Sequence, residues 1–542
     1  MRAFSLFLIF ALLLISTHSV VGQERLDMNQ SCRSLRKAAE NRGFSFVRVR
    51  QGVPLEGQMK QSKTVYVIST SFDLAGKVFH LPDSSYICFK KKGALRNGVI
   101  KGVLLNESID PCHFGAVGNG RNDDTQALQN VLNLQVSTIL LNGRKYFING
   151  FLRVPSKVSI KGDGARIIMS AKEKAFPGFE IRQASDVHLT GIDFCAEKTK
   201  KSGSTFSRTD GTLWSNRYAV TASSIDNMMI EQCSFVDVDC AIKVDGGVGN
   251  NKNVTVRNCS TNGAVATPVY ISHSDNVIID GCQFHASTDA SKYDHHLYGC
   301  ASNRHHVISN CSFYGGVGIP VHYYTTEDNG EDDILVMNCS FENTYGAVIV
   351  SSGDEGILTV KNVTMKSIRE YNNGVFRSGG NQTLIVDGAT VYAPKQRLIS
   401  CEGKDTRIKD VEATVGGLAY GLPSIKGHLS VEGCQIALRS APYLFYISEK
   451  VAPNTGDVTL VNNRFSIDND PEYLISVRGT TKGTVTFENN EILCRGKVKY
   501  AVYNAGKNST RLVLKKNHIK GVEKLRHTSV KGGIIDNNTL ER

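Results

Sequence analysis

Six of the chain's 14 histidines fall between 285 and 322: His285, His295, His296, His305, His306 and His322. Tyr298 and Arg304 lie among them, and Lys243, Asp245, Tyr270, Asp294 and Tyr324 are near in the chain. The set is rich in imidazole, phenol and cation and poor in paired carboxylates. Glycoside hydrolysis needs two carboxyl groups flanking the scissile bond. β-Elimination from a uronate needs a cation to neutralise the sugar carboxylate, a base to remove the proton on the adjacent carbon, and an acid for the leaving oxygen. On a uronate substrate these residue types would suit elimination, with His322 as base, Tyr298 as acid, and Lys243 or Arg304 as the cation. Exchanging the His and Tyr roles costs the idea little. Tyr270, His296, Arg304 and Tyr324 are expected to bind substrate. The plainer alternative is that the tyrosines only stack on a flat sheet and the loop histidines are solvated.

The elements that must position these groups repeat. MMIEQCSF (228–235), VTVRNCST (254–261), VIIDGCQF (277–284), HVISNCSF (306–313), ILVMNCSF (334–341) and LSVEGCQI (429–436) share a short β-type run, a turn residue and a cysteine. The frame continues with Val363, Ala389, Val411, Asn463, Asn490, Asn517 and Asn538 in the cysteine place. One earlier coil carries Ile192, and VSIKGDGARIIM (158–169) reads as the first full coil after a helix. The step is about 25 residues, too long for a leucine-rich repeat and too short for a propeller blade. It fits a coil of three short strands, hence an all-β, right-handed parallel β-helix. The 50 glycines against 12 prolines and one tryptophan agree with a repeat architecture.

In such a stack, like positions of successive coils lie about 4.8 Å apart. Cys233, Cys259, Cys282, Cys311, Cys339 and Cys434 are therefore expected as buried free thiols in an inward file, and the later asparagines as an amide ladder. No Cys-x-x-Cys occurs, which argues against a metal site. Several turns match Asn-x-Ser/Thr (Asn258, Asn310, Asn338, Asn362), but asparagine is the expected turn residue there. The strand after each column turn alternates. Ile242, Val269, Leu297, Val321, Val348 and Val375 should face inward. Lys243, Tyr270, Tyr298, His322, Ile349 and Phe376 should then form the outward file.

Residues 112–134 read as a cap. Asp123 suits an N-cap with Gln126 as its capping-box partner, and Leu128, Val131 and Leu132 form one apolar helix face. An amphipathic helix over the first coil would cover an otherwise open strand edge. Phe114-Gly115-Ala116-Val117-Gly118-Asn119-Gly120, then Asn122-Asp123-Asp124-Thr125, resembles the N-terminal signature of the pectate-lyase superfamily. That group of secreted β-helix proteins includes hydrolases, lyases, epimerases and phage tailspikes. The resemblance implies the fold and a glycan groove on one sheet; the signature itself is not catalytic. The paired-Asp motifs of polygalacturonase-like hydrolases are absent at the matching positions. Residues 64–103 resemble the strand-rich N-terminal segment of bacterial members.

Arg2 followed by the apolar run Phe4–Ile15 and small residues at Val20 and Gly22 reads as an export signal cleaved near Gly22. Gln23 stands where a lipoprotein would need cysteine. The run is too short to span a bilayer. The expected plan is a signal peptide over 1–22, a strand-rich segment over 23–110 and the β-helix over 111–542, secreted to the periplasm or beyond. Net charge +12 favours an acidic polysaccharide over nucleic acid outside the cytoplasm. No cofactor is expected. The acidic run Glu327, Asp328, Glu331, Asp332, Asp333 would admit calcium but lacks the spacing of a known calcium loop. Disulfides among Cys32, Cys88 and Cys112 stay open, as does the choice between a monomer and weak self-association through the last coil. The functional alternatives are a hydrolase or epimerase in the same groove, or a non-catalytic glycan-binding β-helix.

Overall fold

The residue before each column member turns the chain. In the computed structural model its φ is positive at 14 successive corners, from 49° at Asn362 to 75° at Gly388, and Gln232, Asp410 and Lys516 adopt it as well. Asparagine and glycine dominate these corners because a left-handed residue strains most other side chains. The structure describes residues 25–170, 176–197, 218–238, 240–246, 251–264, 267–286, 295–315, 319–324, 332–345, 348–351, 356–368, 374–419, 427–440, 443–447, 456–477, 483–504, 511–527 and 533–541.

Between corners the strands pair in parallel with the coil below. Ser234 sits on Ser260, Ser260 on Gln283, Gln283 on Ser312 and Ser312 on Ser340. The result is a right-handed parallel β-helix of about 14 turns. Its interior is one continuous apolar core. Phe284, Phe313 and Phe341 stack through it with ring centroids 5.1 and 4.9 Å apart.

The column is one position filled by thiols, by aliphatic side chains (Val363, Ala389, Val411) and, at the end, by amides. Cys233, Cys259, Cys282, Cys311, Cys339 and Cys434 are buried, and all 14 cysteines are free thiols, Cys32, Cys88 and Cys112 among them. Burial pushes the Cys434 thiol up to about 11. From Asn463 onward the file is an amide ladder. Asn463 Nδ2 donates to Asn490 Oδ1 at 3.0 Å, Asn490 to Asn517 at 2.9 Å and Asn517 to Asn538 at 2.8 Å. The second Nδ2 hydrogen of each of these three bonds a backbone carbonyl of the coil before: Val431, Leu460 and Phe487. Asn463, Asn490 and Asn517 thus use both amide hydrogens, which is what a buried polar file requires.

The helix Thr125–Leu132 lies over the first main coil with Leu128, Val131 and Leu132 buried. It does not face solvent on its other side. Residues 64–104 make two short parallel coils of their own, with Val65 on Tyr86, Phe72 on Leu95 and Phe79 on Ile100. Asn130 ties the helix to them, accepting from Ile100 N at 3.0 Å and donating to Gly98 O at 2.9 Å. Gln129 binds Arg153 of the main solenoid in both directions. The expected capping box does not form. Asp124 is the N-cap residue; its buried carboxylate accepts from Val117 N and Gly118 N instead. Asp123 binds Thr125, and Gln126 binds Asn130. The segment 24–63, uninformative as sequence, holds the helix Cys32–Asn41 and the strand Ser45–Val49. The expected export signal, residues 1–22, lies outside the described residues.

Candidate functional site

Each strand that builds the candidate groove starts at a bend where two consecutive side chains point inward. Ala241 and Ile242, Pro268 and Val269, His296 and Leu297, and Pro320 and Val321 are such pairs. The next residue points out. Lys243, Tyr270, Tyr298 and His322 are therefore brought onto one file, each in register with the last. Ile349 follows His322, and Arg377 follows Ile349. Phe376, expected in that file, is buried, because Val375 and Phe376 are the inward pair of their coil. Plain alternation misses the doubled inward step by one residue. Arg377 and its ion-pair partner Glu402, 3.6 Å away, are thus groove residues that the sequence reading missed.

The six histidines do not form one cluster. His295 and His322 face the groove: their rings lie 4.7 Å apart, and His295 stacks on Tyr298 at 5.0 Å. His296 is completely buried between Phe284 and Phe313. It cannot touch substrate, and that assignment is corrected; burial pushes its pKa down to about 3. His306 is also interior. His305 is exposed beside Asp275 at 2.7 Å, on the far side of the corner at Ala301. Arg304, in register with Asp275, lies beyond the same corner, so the structure does not bring it to Tyr298 or His322. His285 lies near Tyr314 on another strand.

Lys243 is on the file but three coils from His322, about 14 Å at the spacing of stacked strands. It binds Asp245 at 2.9 Å and lies over the rings of Tyr218 and Tyr270. That distance removes it from a common centre with His322. Tyr270 is 5.8 Å from Tyr298, ring to ring, and burial raises its pKa. Tyr324 shares the strand and face of His322, with ring centroids 6.3 Å apart. Asp294 and 325–331 of the acidic run lie outside the described residues. Among the described residues no group of three or more His, Cys, Asp or Glu could hold a metal ion.

With His295 neutral, the hydrogen-bond contacts allow one proton order. His295 Nδ1 is 3.0 Å from the carbonyl of Ile319, which can only accept. A neutral His295 then presents Nε2 as acceptor, 3.3 Å from His322 Nδ1. His322 donates from Nδ1, which leaves Nε2 as its basic nitrogen. Burial, then His295 and then the Arg377 charge push the His322 pKa down to about 3, so the imidazole is neutral at ordinary pH. Tyr298 sits 5.2 Å from it, ring to ring.

Inside the wall, a polar chain supports this strand. Tyr323 Oη donates to His306 Nδ1 at 3.0 Å, His306 Nε2 to Ser274 Oγ at 3.0 Å, and Ser274 to Asn303 Oδ1 at 3.0 Å. Gly299 makes room for it, since a Cβ there would stand 2.2 Å from the Tyr323 ring.

No family model matches the chain. A capsule K30/K69-specific depolymerase of Klebsiella phage K64-1 is 25% identical over 244 residues, 41% of this chain and 29% of the depolymerase. The chain thus spans under a third of that relative's length. Among solved structures, a tailspike of E. coli bacteriophage HK620 is 15% identical with a TM-score of 0.48, over 80% of this chain and 81% of that one. The A-module of the Azotobacter vinelandii mannuronan C-5 epimerase AlgE6 is 14% identical with a TM-score of 0.33, over 80% and 99%. No helix among the described residues is long and apolar enough to cross a membrane.

Proposed function

We propose that this chain is an exported enzyme that cleaves an acidic polysaccharide by β-elimination in the groove around Tyr298 and His322. The observation that carries the reading is the cluster of Tyr298, His295 and His322 on one face of the sheet, with the His322 imidazole held neutral. His322 Nε2 takes the proton beside the uronate carboxyl. Tyr298 gives its phenolic proton to the leaving oxygen. Arg377 takes over the neutralising role from Lys243. Its guanidinium pairs with Glu402 at 3.6 Å on the groove face, and its charge acts on His322. A neutralised carboxylate makes the neighbouring proton more acidic, which is what a weakly basic His322 needs. Tyr270 and Tyr324 supply ring faces for adjacent sugars, and Lys243 serves a uronate further along.

The carboxylates nearest the two ends of this stretch of the groove do not form a hydrolytic pair. Asp245 and Glu402 are each ion-paired and stand six coils apart, about 29 Å, against the roughly 5–9.5 Å that glycosidases use. The export signal, the net charge of +12 and the phage depolymerase likeness fit an extracellular glycan substrate. The test is incubation with a panel of uronate polymers while ultraviolet absorbance follows the new double bond. Unsaturated ends should accumulate. Reducing ends without absorbance would make the chain a hydrolase, and retention without new ends would make it a binding protein.

A further inference from the structure

The Tyr–His pairing of the groove recurs at the other end of the same sheet. Tyr503 and His527 occupy successive coils, joined by His527 N donating to Val502 O at 2.9 Å. Their ring centroids are 5.2 Å apart at 61°, against 5.2 Å and 60° for Tyr298 and His322. The local construction is the same. Ala501 and Val502 are both buried, so Tyr500 and Tyr503 emerge on either side of the bend, as His295 and Tyr298 do around His296 and Leu297. Tyr500 lies 4.9 Å from His527, and buried Tyr473 underlies them at 5.9 Å from Tyr500 and 4.7 Å from Tyr503.

The charge around this second cluster differs. Lys499 and Lys524, both exposed, hold their ammonium groups 5.4 and 6.0 Å from the Tyr500 ring centre. From 495 to 527 the sequence has ten Lys and Arg against Glu523 alone. Three half-buried rings at the surface offer flat faces to the C–H side of a sugar, and the ammonium groups above them suit a carboxylate. The cluster stands eight coils from Tyr298, about 38 Å at the spacing of stacked strands. It cannot share one sugar residue with the first site.

We propose that Tyr500, Tyr503 and His527, with Lys499 and Lys524, form a second site that binds an acidic sugar residue and holds polymer on the sheet away from the point of cleavage. The proposal rests on the reading of an acidic glycan substrate but not on the elimination chemistry. It makes the sheet a two-point contact, in which a long chain engages both clusters and a short one engages either alone. Two weak contacts on one rigid body raise retention of a long polymer beyond either affinity.

The test uses the full chain carrying His322→Ala, so that no polymer is cut, run through gels containing polygalacturonate or alginate. Adding K499E/K524E should weaken retention about tenfold, and adding Tyr503→Ala should do so by a similar factor. The lysines are exposed, so the charge variant tests the site even if the aromatic variant unfolds. Unchanged retention of K499E/K524E overturns the second site, whatever the enzyme assay gives. Loss of retention in a protein whose parent yields no unsaturated product keeps the site and removes only the cleavage reading. A His322→Ala parent that is retained by neither polymer overturns the site as well.

Discussion

The coils around Tyr298–His322 and those around Tyr503–His527 place the same two side chains on the same sheet, yet they are built on different interiors. Under the first, the corner column is a file of thiols, Cys282, Cys311 and Cys339. Under the second, it is the amide ladder from Asn463 to Asn538. Above the first, an imidazole is locked by His295 and lies near a guanidinium. Above the second, the imidazole lies among tyrosines flanked by exposed lysines. The pair of residue types therefore does not define chemistry. What surrounds the imidazole differs between the two regions, and with it the role we propose for each.

Replacing the proposed base should separate the two regions most widely. His322→Ala should lower release of unsaturated product by about 10³-fold with the fold intact by circular dichroism. His527→Ala should cost at most about tenfold, through weaker polymer capture. Equal losses would erase the distinction.

The interiors should differ next. Asn490→Ala strands Asn463 N, Asn463 Nδ2, Leu460 O and Asn517 Oδ1, and should cost about 3 kcal/mol in denaturant unfolding. Cys311→Ala removes one soft atom from a file with no obligatory partner and should cost about 1 kcal/mol. A thiol substitution as damaging as the amide one would mean the two files are equally specified.

Acid should act on the first region. His296, His306 and His322 are each pushed down to about 3, chiefly by burial. The unfolded chain takes up their protons near the ordinary histidine value of about 6.5, and the folded chain does not until about 3. Stability should therefore fall as pH drops from about 6.5 towards 3, and hydrogen exchange should report opening first in coils 295–324. A flat melting temperature across that window would contradict the burial of these rings. The acidic limb of kcat/KM should likewise sit below the ordinary histidine value.

Much of this was legible in the chain. The corner residues and the column set the coil length, and a soft or amide side chain at one spot per coil is enough to fix what stacks on what. Lys243, Tyr270, Tyr298 and His322 could be lined up from that register alone, because parallel pairing carries one coil's alternation to the next. The helix face at Leu128, Val131 and Leu132 was equally plain.

The rest depended on geometry that no spacing encodes. Two inward residues at each bend exchange Phe376 for Arg377 and carry His296 inside while His295 stays out. The corner at Ala301 turns Arg304 from the groove, and coil separation takes Lys243 out of reach of His322. Sequence determined this protein's repeat and its file, since both follow from local backbone preference and side-chain period. Only the folded coil decided which groups meet, since a bend changes which way a side chain points without leaving a mark in residue type.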